Sequence, residues 1–176
     1  MIFIAEIGMN HNGNLDLCNE LVRQAKWAGA DIAKFQLGWR AALGEINHIT
    51  PDDIRKIENI CNYYDIEYMA SIITEEGLTL SKHTDPSRYK IASRTVIDKP
   101  DLVKSILEIG KPTFLSLGMW DKKELPFQEF DNITYLWCKS LYPTYPWDLT
   151  DLPKCFDDVP MSGYSDHSVG IEIALT

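Results

Sequence analysis

Residues 162–170 of the chain read SGYSDHSVG, and the pattern of this stretch recurs along the whole sequence. The stretch predicts the end of a buried strand, a polar loop that carries one imidazole, His167, and the start of a helix. A strand that runs through a polar loop into a helix is the repeating unit of parallel α/β proteins.

Short apolar strands alternate with segments of helical spacing from end to end. The predicted strands are 2–7, 31–36, 67–72, 88–93, 112–117, 133–140 and 160–164. The predicted helices are 15–28, 51–64, 75–82, 99–109, 122–130, 149–156 and a last one from 169 to 176. Helix boundaries are marked by Thr50 as N-cap, Pro51 as first helical residue and Gly29 as a C-terminal glycine.

Such repeats predict a parallel sheet covered by helices, in a doubly wound sheet or a (β/α)8 barrel. Polar residues lie at or near the carboxyl end of every predicted strand, whereas a doubly wound sheet would concentrate them at one switch point. We therefore expect an α/β fold of the TIM (β/α)8 type. A complete barrel needs roughly 200 residues or more, so we expect an incomplete one, with about seven βα units, no strand 8 or helix 8, and one domain over residues 1–176.

The composition excludes several classes of function. Apolar residues at 45% and charged residues at 24% are ordinary for a soluble globular protein. A net charge of −9 without a basic cluster argues against a nucleic-acid partner. No apolar run reaches the roughly 18 residues of a membrane span, and no signal peptide is predicted. Four cysteines without CxxC spacing favour reduced thiols in a cytoplasmic protein.

Lys34 and Lys90 each lie on an otherwise apolar strand. A buried ammonium group is costly unless an anion compensates it, so these lysines predict a pocket for a phosphate or a carboxylate. Hydroxyl groups that could complete the pocket are those of Ser71, Ser93, Ser140 and Ser165. In the alternative interpretation each lysine forms a structural ion pair with a nearby acid.

Two further residues allow more than one interpretation. Glu6, the acid of the first strand, is a candidate general base or a group that orients a metal-bound water, or else the ion-pair partner of Lys34 or Lys90. His167, with Asp166 beside it, is a candidate metal ligand or a hydrogen-bonded loop residue.

Six groups of motifs follow one another in a fixed order over essentially the whole chain. They are AEIGMNHNG at 5–13, AGAD at 28–31 with KFQ at 34–36, YKIAS at 89–93, GKP at 110–112 with Ser116 and GM at 118–119, YPT at 142–144, and GYSDHSVG at 163–170. As an ordered set they closely resemble the sialic acid synthase family, of the N-acetylneuraminate synthase type.

The resemblance implies a barrel that condenses phosphoenolpyruvate with an N-acyl hexosamine aldehyde such as N-acetylmannosamine. The product would be a nine-carbon 2-keto sugar acid, and a divalent metal, Mn2+ or Mg2+, would assist. The residues implied to hold phosphoenolpyruvate are Lys34, Ser71, Lys90, Ser93, Ser140 and Ser165. Gln36 and Tyr142 would face the sugar, Glu6 would lie near the metal and its water, and His167 would be one of two imidazole ligands.

The chain also departs from that family's pattern. The second histidine ligand belongs to strand 8, so we expect it from outside this chain. Thr95 stands where the family has an acid, the loop after Gln36 is short, and no C-terminal antifreeze-like domain is expected. Open strand edges favour pairing, which predicts a homo-oligomer or a complementing chain. The alternative function is a non-catalytic barrel that binds an anionic metabolite or acts as an assembly module.

Overall fold

The structure, a computed structural model, describes residues 1–170 and residue 173, without the side chain of residue 157. The chain divides into two compact units, Met1–Lys90 and Ile91–Thr176. Whether residues 1–176 form a single domain stays a prediction.

The first unit contains three consecutive strand–helix pairs and reaches the fourth strand. Its strands are β1 Ile4–Gly8, β2 Ile32–Leu37 and β3 Glu67–Ile72, and β4 Arg88–Ile91 lies at its end. Its helices are α1 Leu15–Trp27, α2 Pro51–Tyr63 and α3 Glu75–Ser81.

The second unit contains two short α-helices. Its helices are α4 Ser93–Asp98 and α5 Pro100–Leu107, with 3-10 turns at Pro146–Asp148 and Phe156–Asp158. Its strands are β5 Thr113–Ser116, β6 Ile133–Cys138 and β7 Gly163–Ser165.

The strand order of the sheet equals the sequence order, β1 to β7. The pairs β1–β2, β2–β3, β5–β6 and β6–β7 are parallel. A doubly wound sheet reverses its strand order at a switch point, and this sheet does not. The predicted fold class, an α/β fold of the TIM type with seven strands, is therefore confirmed.

The boundaries of the longer helices follow from local hydrogen bonds. Thr50 and Asp53 form a reciprocal capping box at the start of α2, with Pro51 in its first turn. The side chain of Asn14 accepts hydrogen bonds from two backbone N–H groups at the start of α1. Gly29, at φ +90°, ends α1 in a conformation that favours glycine.

One face of the sheet in the first unit is apolar. The ring of Phe35 on β2 lies 5.9 Å from that of Tyr68 on β3 and 6.2 Å from the imidazole of His11. Side chains alternate along a strand, so the neighbours of Phe35 on β2, Lys34 and Gln36, belong to the opposite face. One face of this part of the sheet packs as a core, and the other carries polar groups.

Three sequence predictions were wrong, two for local reasons and one because of tertiary packing. Residues 122–130 are turns rather than a helix, because Pro126 lacks an N–H donor and Phe127 adopts φ +58°. Residues 149–156 are not a helix either, since Pro153 interrupts the segment. Ser93 does not end a strand but begins α4, whose buried Val96 anchors this short helix. The predicted helix 169–176 lies mostly outside the described residues.

Within the described part of the chain, no helix is both long enough and apolar enough to cross a membrane.

The buried His11 makes folding sensitive to pH. Its side chain is 1% exposed, its Nδ1 accepts a hydrogen bond from the backbone of Gly13, and its Nε2 has no partner among the described residues. Burial lowers the pKa of His11 below its ordinary value of 6.5. Below about pH 6.5 the unfolded chain therefore binds a proton that the folded chain does not, and stability decreases.

We predict that the free energy of unfolding falls as the pH decreases below 6.5, by at most about 1.4 kcal/mol per pH unit from this group. The variant His11→Asn keeps an acceptor for the Gly13 N–H but does not titrate, so its pH profile should be flatter. Urea denaturation between pH 7.5 and 5 measures the profile, with His83→Asn as the exposed control. An unchanged profile in His11→Asn would contradict the prediction.

Candidate active site

The strand register in the first unit places the predicted site residues on one face. Glu6 on β1 pairs with Lys34 on β2, and Gln36 on β2 pairs with Ser71 on β3. Paired residues of parallel strands point to the same side of a sheet, and residues two apart on one strand do too. These four polar residues therefore share the face opposite Phe35, near the carboxyl ends of three adjacent strands.

Glu6 and Lys34 form an ion pair through the Oε2 and Nζ atoms. The Lys34 side chain is only 12% exposed, whereas that of Glu6 remains 44% exposed. A nearly buried ammonium requires a counter-charge, and Glu6 supplies one from the solvent side. The ion-pair interpretation of Glu6 therefore describes its contact in this structure.

A bulge in β1 shapes the space around this pair. The register between β1 and β2 shifts after Glu6, and Gly8 adopts φ +55°. A Cβ atom on Gly8 would lie 3.0 Å from Oε1 of Glu6 and 3.8 Å from Nε2 of Gln36. Bulges commonly redirect side chains next to active sites, and here glycine leaves room for a carboxylate and an amide.

The adjacent strands add two buried polar residues. Ser71 at the carboxyl end of β3 is 3% exposed, and Lys90 on β4 is 6% exposed. Lys34, Ser71 and Lys90 thus come from three consecutive strands and are all largely or fully buried. Lys34 is balanced by Glu6, and Lys90 adds a second buried ammonium group two strands further along the sheet, so this part of the sheet is a candidate site for an anion.

The second unit brings His167 into contact with the loop that follows β6. Its Nδ1 lies 2.9 Å from the backbone carbonyl of Lys139, which can only accept, so Nδ1 carries the proton. Its Nε2 lies 3.0 Å from the hydroxyl of Tyr142, and the two rings stack at 4.3 Å. In the neutral imidazole the Tyr142 hydroxyl therefore donates to Nε2.

Tyr142 is suited to that role because its hydroxyl stays protonated. Partial burial raises the pKa of Tyr142, Cys138 adds to the rise, and Arg94 opposes it. Sequence reasoning assigned Tyr142 to the sugar and His167 to the metal, and the structure places the two side chains in direct contact.

Cys138 belongs to the same group of contacts as His167 and Tyr142, whereas the sequence alone indicated only that it is one of four reduced thiols. Its Sγ lies 3.6 Å from Nδ1 of His167 and 3.9 Å from Oγ of Ser140. Ser165 on β7 is its partner in the strand register. Cys138 lies at the end of β6 and Ser140 in the loop that follows, so their contact depends on the path of that loop and no strand periodicity predicted it.

Ser93 is linked to Cys138 and Ser140 through Gly118, which contacts all three residues. The backbone N–H of Gly118 donates to Oγ of Ser93 at 3.0 Å. A Cβ atom on Gly118 would lie 2.5 Å from the carbonyl oxygen of Cys138 and 2.6 Å from Oγ of Ser140. Only glycine permits this close approach between the two loops.

Ser116 at the end of β5 is a further candidate that the residue assignments omitted. Its hydroxyl is fully buried and has no hydrogen-bond partner among the described residues. A buried hydroxyl without a partner is costly, so a ligand or a water is the expected partner. The signal in the sequence was a hydroxyl at the carboxyl end of an apolar strand. The register pairs Ser116 with Leu136, on the face that also carries Cys138.

His167 fits a metal ion as one ligand but not as a complete site. Its Nδ1–H is held by a carbonyl, which leaves Nε2 as the atom able to bind a cation. Across residues 1–170 and 173, no group of three or more His, Cys, Asp or Glu side chains could hold a metal.

We predict that Gly118→Ala destabilises the chain by about 1–3 kcal/mol, because the added methyl group meets a backbone carbonyl that cannot move freely. Urea denaturation measures the loss, with the exposed neighbour Met119→Ala as control. Wild-type stability of Gly118→Ala would show that the Ser93–Gly118–Ser140 arrangement is looser than described.

These features define a class. The chain is a parallel α/β protein of the TIM type whose polar and ionic side chains lie near the carboxyl ends of its strands, where proteins of this fold bind their ligands. The chain belongs to the NeuB family, whose sequence model matches residues 39–176.

Characterised relatives cover nearly all of this chain. It is 29% identical to the N-acetylneuraminate-9-phosphate synthase of Homo sapiens, over 98% of this chain and 57% of that protein. It is 27% identical to the N,N'-diacetyllegionaminic acid synthase of Legionella pneumophila, over 96% of this chain and 58% of that protein. The chain thus spans little more than half the length of these relatives.

A solved structure agrees with the fold. The N-acetylneuraminic acid synthetase of Leptospira borgpetersenii, crystallised with citrate, superposes with a TM-score of 0.85 at 25% identity. The match covers 99% of this chain and 67% of that chain.

Proposed function

We propose that this chain carries the phosphoenolpyruvate site of a synthase that condenses phosphoenolpyruvate with an N-acyl amino sugar. The observation that carries the proposal is the presence of Lys34, Ser71 and Lys90 on three consecutive strands, β2, β3 and β4. Two ammonium groups and a hydroxyl suit a ligand with both a phosphate and a carboxylate. The names of the relatives, which are synthases of sialic and legionaminic acids, support the same reaction class.

The proposed reaction forms one carbon–carbon bond. C3 of phosphoenolpyruvate attacks the aldehyde carbon of the open-chain sugar, and water adds at C2. Inorganic phosphate then leaves with cleavage of its C–O bond, and the product is a 2-keto sugar acid. The protein's main contribution is to hold the anionic substrate and to stabilise the charge that develops.

Each proposed role falls on a residue already placed in the fold. In the first unit, Lys34, Ser71 and Lys90 are proposed to hold phosphoenolpyruvate, and Gln36 is proposed to contact the sugar. In the second unit, the sequence assigns Ser93, Ser140 and Ser165 to phosphoenolpyruvate and Tyr142 to the sugar. Glu6, half exposed beside Lys34, is proposed to orient the attacking water or to accept its proton. The Glu6–Lys34 pair would then reorganise when the substrate anion binds.

A divalent metal, Mn2+ or Mg2+, is part of the proposal, and His167 would bind it through Nε2. When bound, it supplies Lewis-acid polarisation of the sugar aldehyde. Tyr142 occupies the Nε2 atom in this structure, so its hydroxyl has to release that atom to make it available. Further ligands would come from outside the described residues.

Two broader proposals concern the cellular compartment of the protein and its assembly with other chains. All four cysteines are free thiols, which agrees with a cytoplasmic protein. A homo-oligomer or a complementing chain is proposed because exposed strand edges favour pairing.

We predict that phosphoenolpyruvate binds to the purified chain and that Lys90→Ala weakens binding about 10- to 100-fold, since a buried charged hydrogen bond is lost. Isothermal titration with and without Mn2+ measures the affinity. The matched control is Lys82→Ala, which removes an exposed lysine after α3 and should bind normally.

The titration also distinguishes the proposed synthase from the alternative function, a non-catalytic barrel that binds an anionic metabolite. A folded wild-type chain that does not bind phosphoenolpyruvate, or a Lys90→Ala variant that binds it equally well, would contradict the proposed site. If phosphoenolpyruvate binds but no phosphate is released when N-acetylmannosamine and Mn2+ are added, the chain on its own is an anion-binding barrel rather than a catalyst.

A further inference from the structure

An exposed pair of aromatic rings follows Tyr142 in the loop after β6. The rings of Tyr145 and Trp147 stack with their centroids 4.8 Å apart and their planes only 10° from parallel. The Trp147 side chain is 72% exposed and that of Tyr145 39% exposed. Large exposed aromatic surfaces cost hydration free energy and commonly mark binding sites.

The backbone holds this pair in a defined position. The N–H of Tyr145 donates to the carboxylate of Asp148 at 2.9 Å, and the N–H of Asp148 donates to the carbonyl of Tyr145 at 2.8 Å. This closed turn carries Trp147 between its two ends. The rings therefore present a preformed surface, which lowers the entropy cost of binding a ligand.

The same loop is joined to the His167 segment immediately before the ring pair. Thr144 is fully buried, and its N–H donates to the carbonyl of His167 at 3.2 Å. The N–H of Val169 donates to the carbonyl of Thr144 at 3.1 Å, which forms a parallel bridge between Thr144 and Ser168. The segment that carries the aromatic pair is thus attached by hydrogen bonds to the residue proposed to bind the metal.

We propose that the stacked Tyr145–Trp147 pair binds the amino-sugar substrate and helps to decide which sugar is accepted. This inference rests on the proposed synthase function. The C–H groups of a sugar and the methyl of its N-acyl group are weakly positive and apolar, and they match the negative face of an aromatic ring. Tyr142 and His167 would contact the reactive end of the sugar, and the ring pair would contact its remaining carbon chain or acyl group.

The test measures sugar and phosphoenolpyruvate affinities separately in the purified chain. We expect Trp147→Ala to weaken binding of N-acetylmannosamine about tenfold while phosphoenolpyruvate affinity is unchanged. Trp147→Phe keeps a ring and should retain most of the sugar affinity. Trp27→Ala, which removes a tryptophan of similar exposure from α1, is the matched control and should bind both ligands normally.

The outcomes distinguish this inference from the proposed function. Equal sugar affinity in wild type and Trp147→Ala, or no sugar binding by a wild-type chain that binds phosphoenolpyruvate, overturns the inference alone. If the chain does not bind phosphoenolpyruvate but binds the sugar, and Trp147→Ala weakens that sugar binding, the result supports a sugar-binding role for the ring pair and contradicts the proposed synthase function. If Trp147→Ala abolishes self-association in sedimentation and leaves sugar affinity intact, the surface binds a second copy and the inference fails.

Discussion

Parallel pairing of β1, β2 and β3 is the constraint on which the candidate site depends. Parallel strands end at the same edge of a sheet, and their register decides which residues lie side by side. Here that register pairs Glu6 with Lys34 and Gln36 with Ser71. A shift of one residue would turn Lys34 and Gln36 to the apolar face and bring Phe35 to the polar face. Packing of Phe35 against Tyr68 and His11 therefore also fixes the polar side of the sheet.

The two units use different interactions to hold their polar side chains. In the first unit the dominant interaction is ionic, since the nearly buried Lys34 is balanced by Glu6. In the second unit it is a set of hydrogen bonds to neutral groups, in which His167 is held between the carbonyl of Lys139 and the hydroxyl of Tyr142. In the first unit, a bound anion can replace the Glu6 carboxylate as the counter-charge of Lys34. The second holds an imidazole in one tautomer, as a metal ligand requires.

The sequence predicted the features that are set by local chemistry. Helix α2 begins where Thr50 and Pro51 indicated, and α1 ends where Gly29 indicated, because caps act within a few residues. The short α4 was missed because tertiary packing rather than periodicity stabilises it. Contacts such as Cys138 with His167 join residues 29 positions apart, and no local pattern encodes them. The lysines and serines proposed for the site could be picked out of the sequence because they are polar residues on or beside apolar strands, and their roles stay predictions.

The central claim is that phosphoenolpyruvate binds at the carboxyl ends of the strands. A crystal structure of the chain with bound phosphoenolpyruvate tests this claim most directly. The account predicts the phosphate or the carboxylate within hydrogen-bonding distance of Lys90 and Ser71, with the Lys34 ammonium turned from Glu6 toward the ligand. A ligand bound at the amino ends of the strands, with the Glu6–Lys34 pair intact, would contradict it.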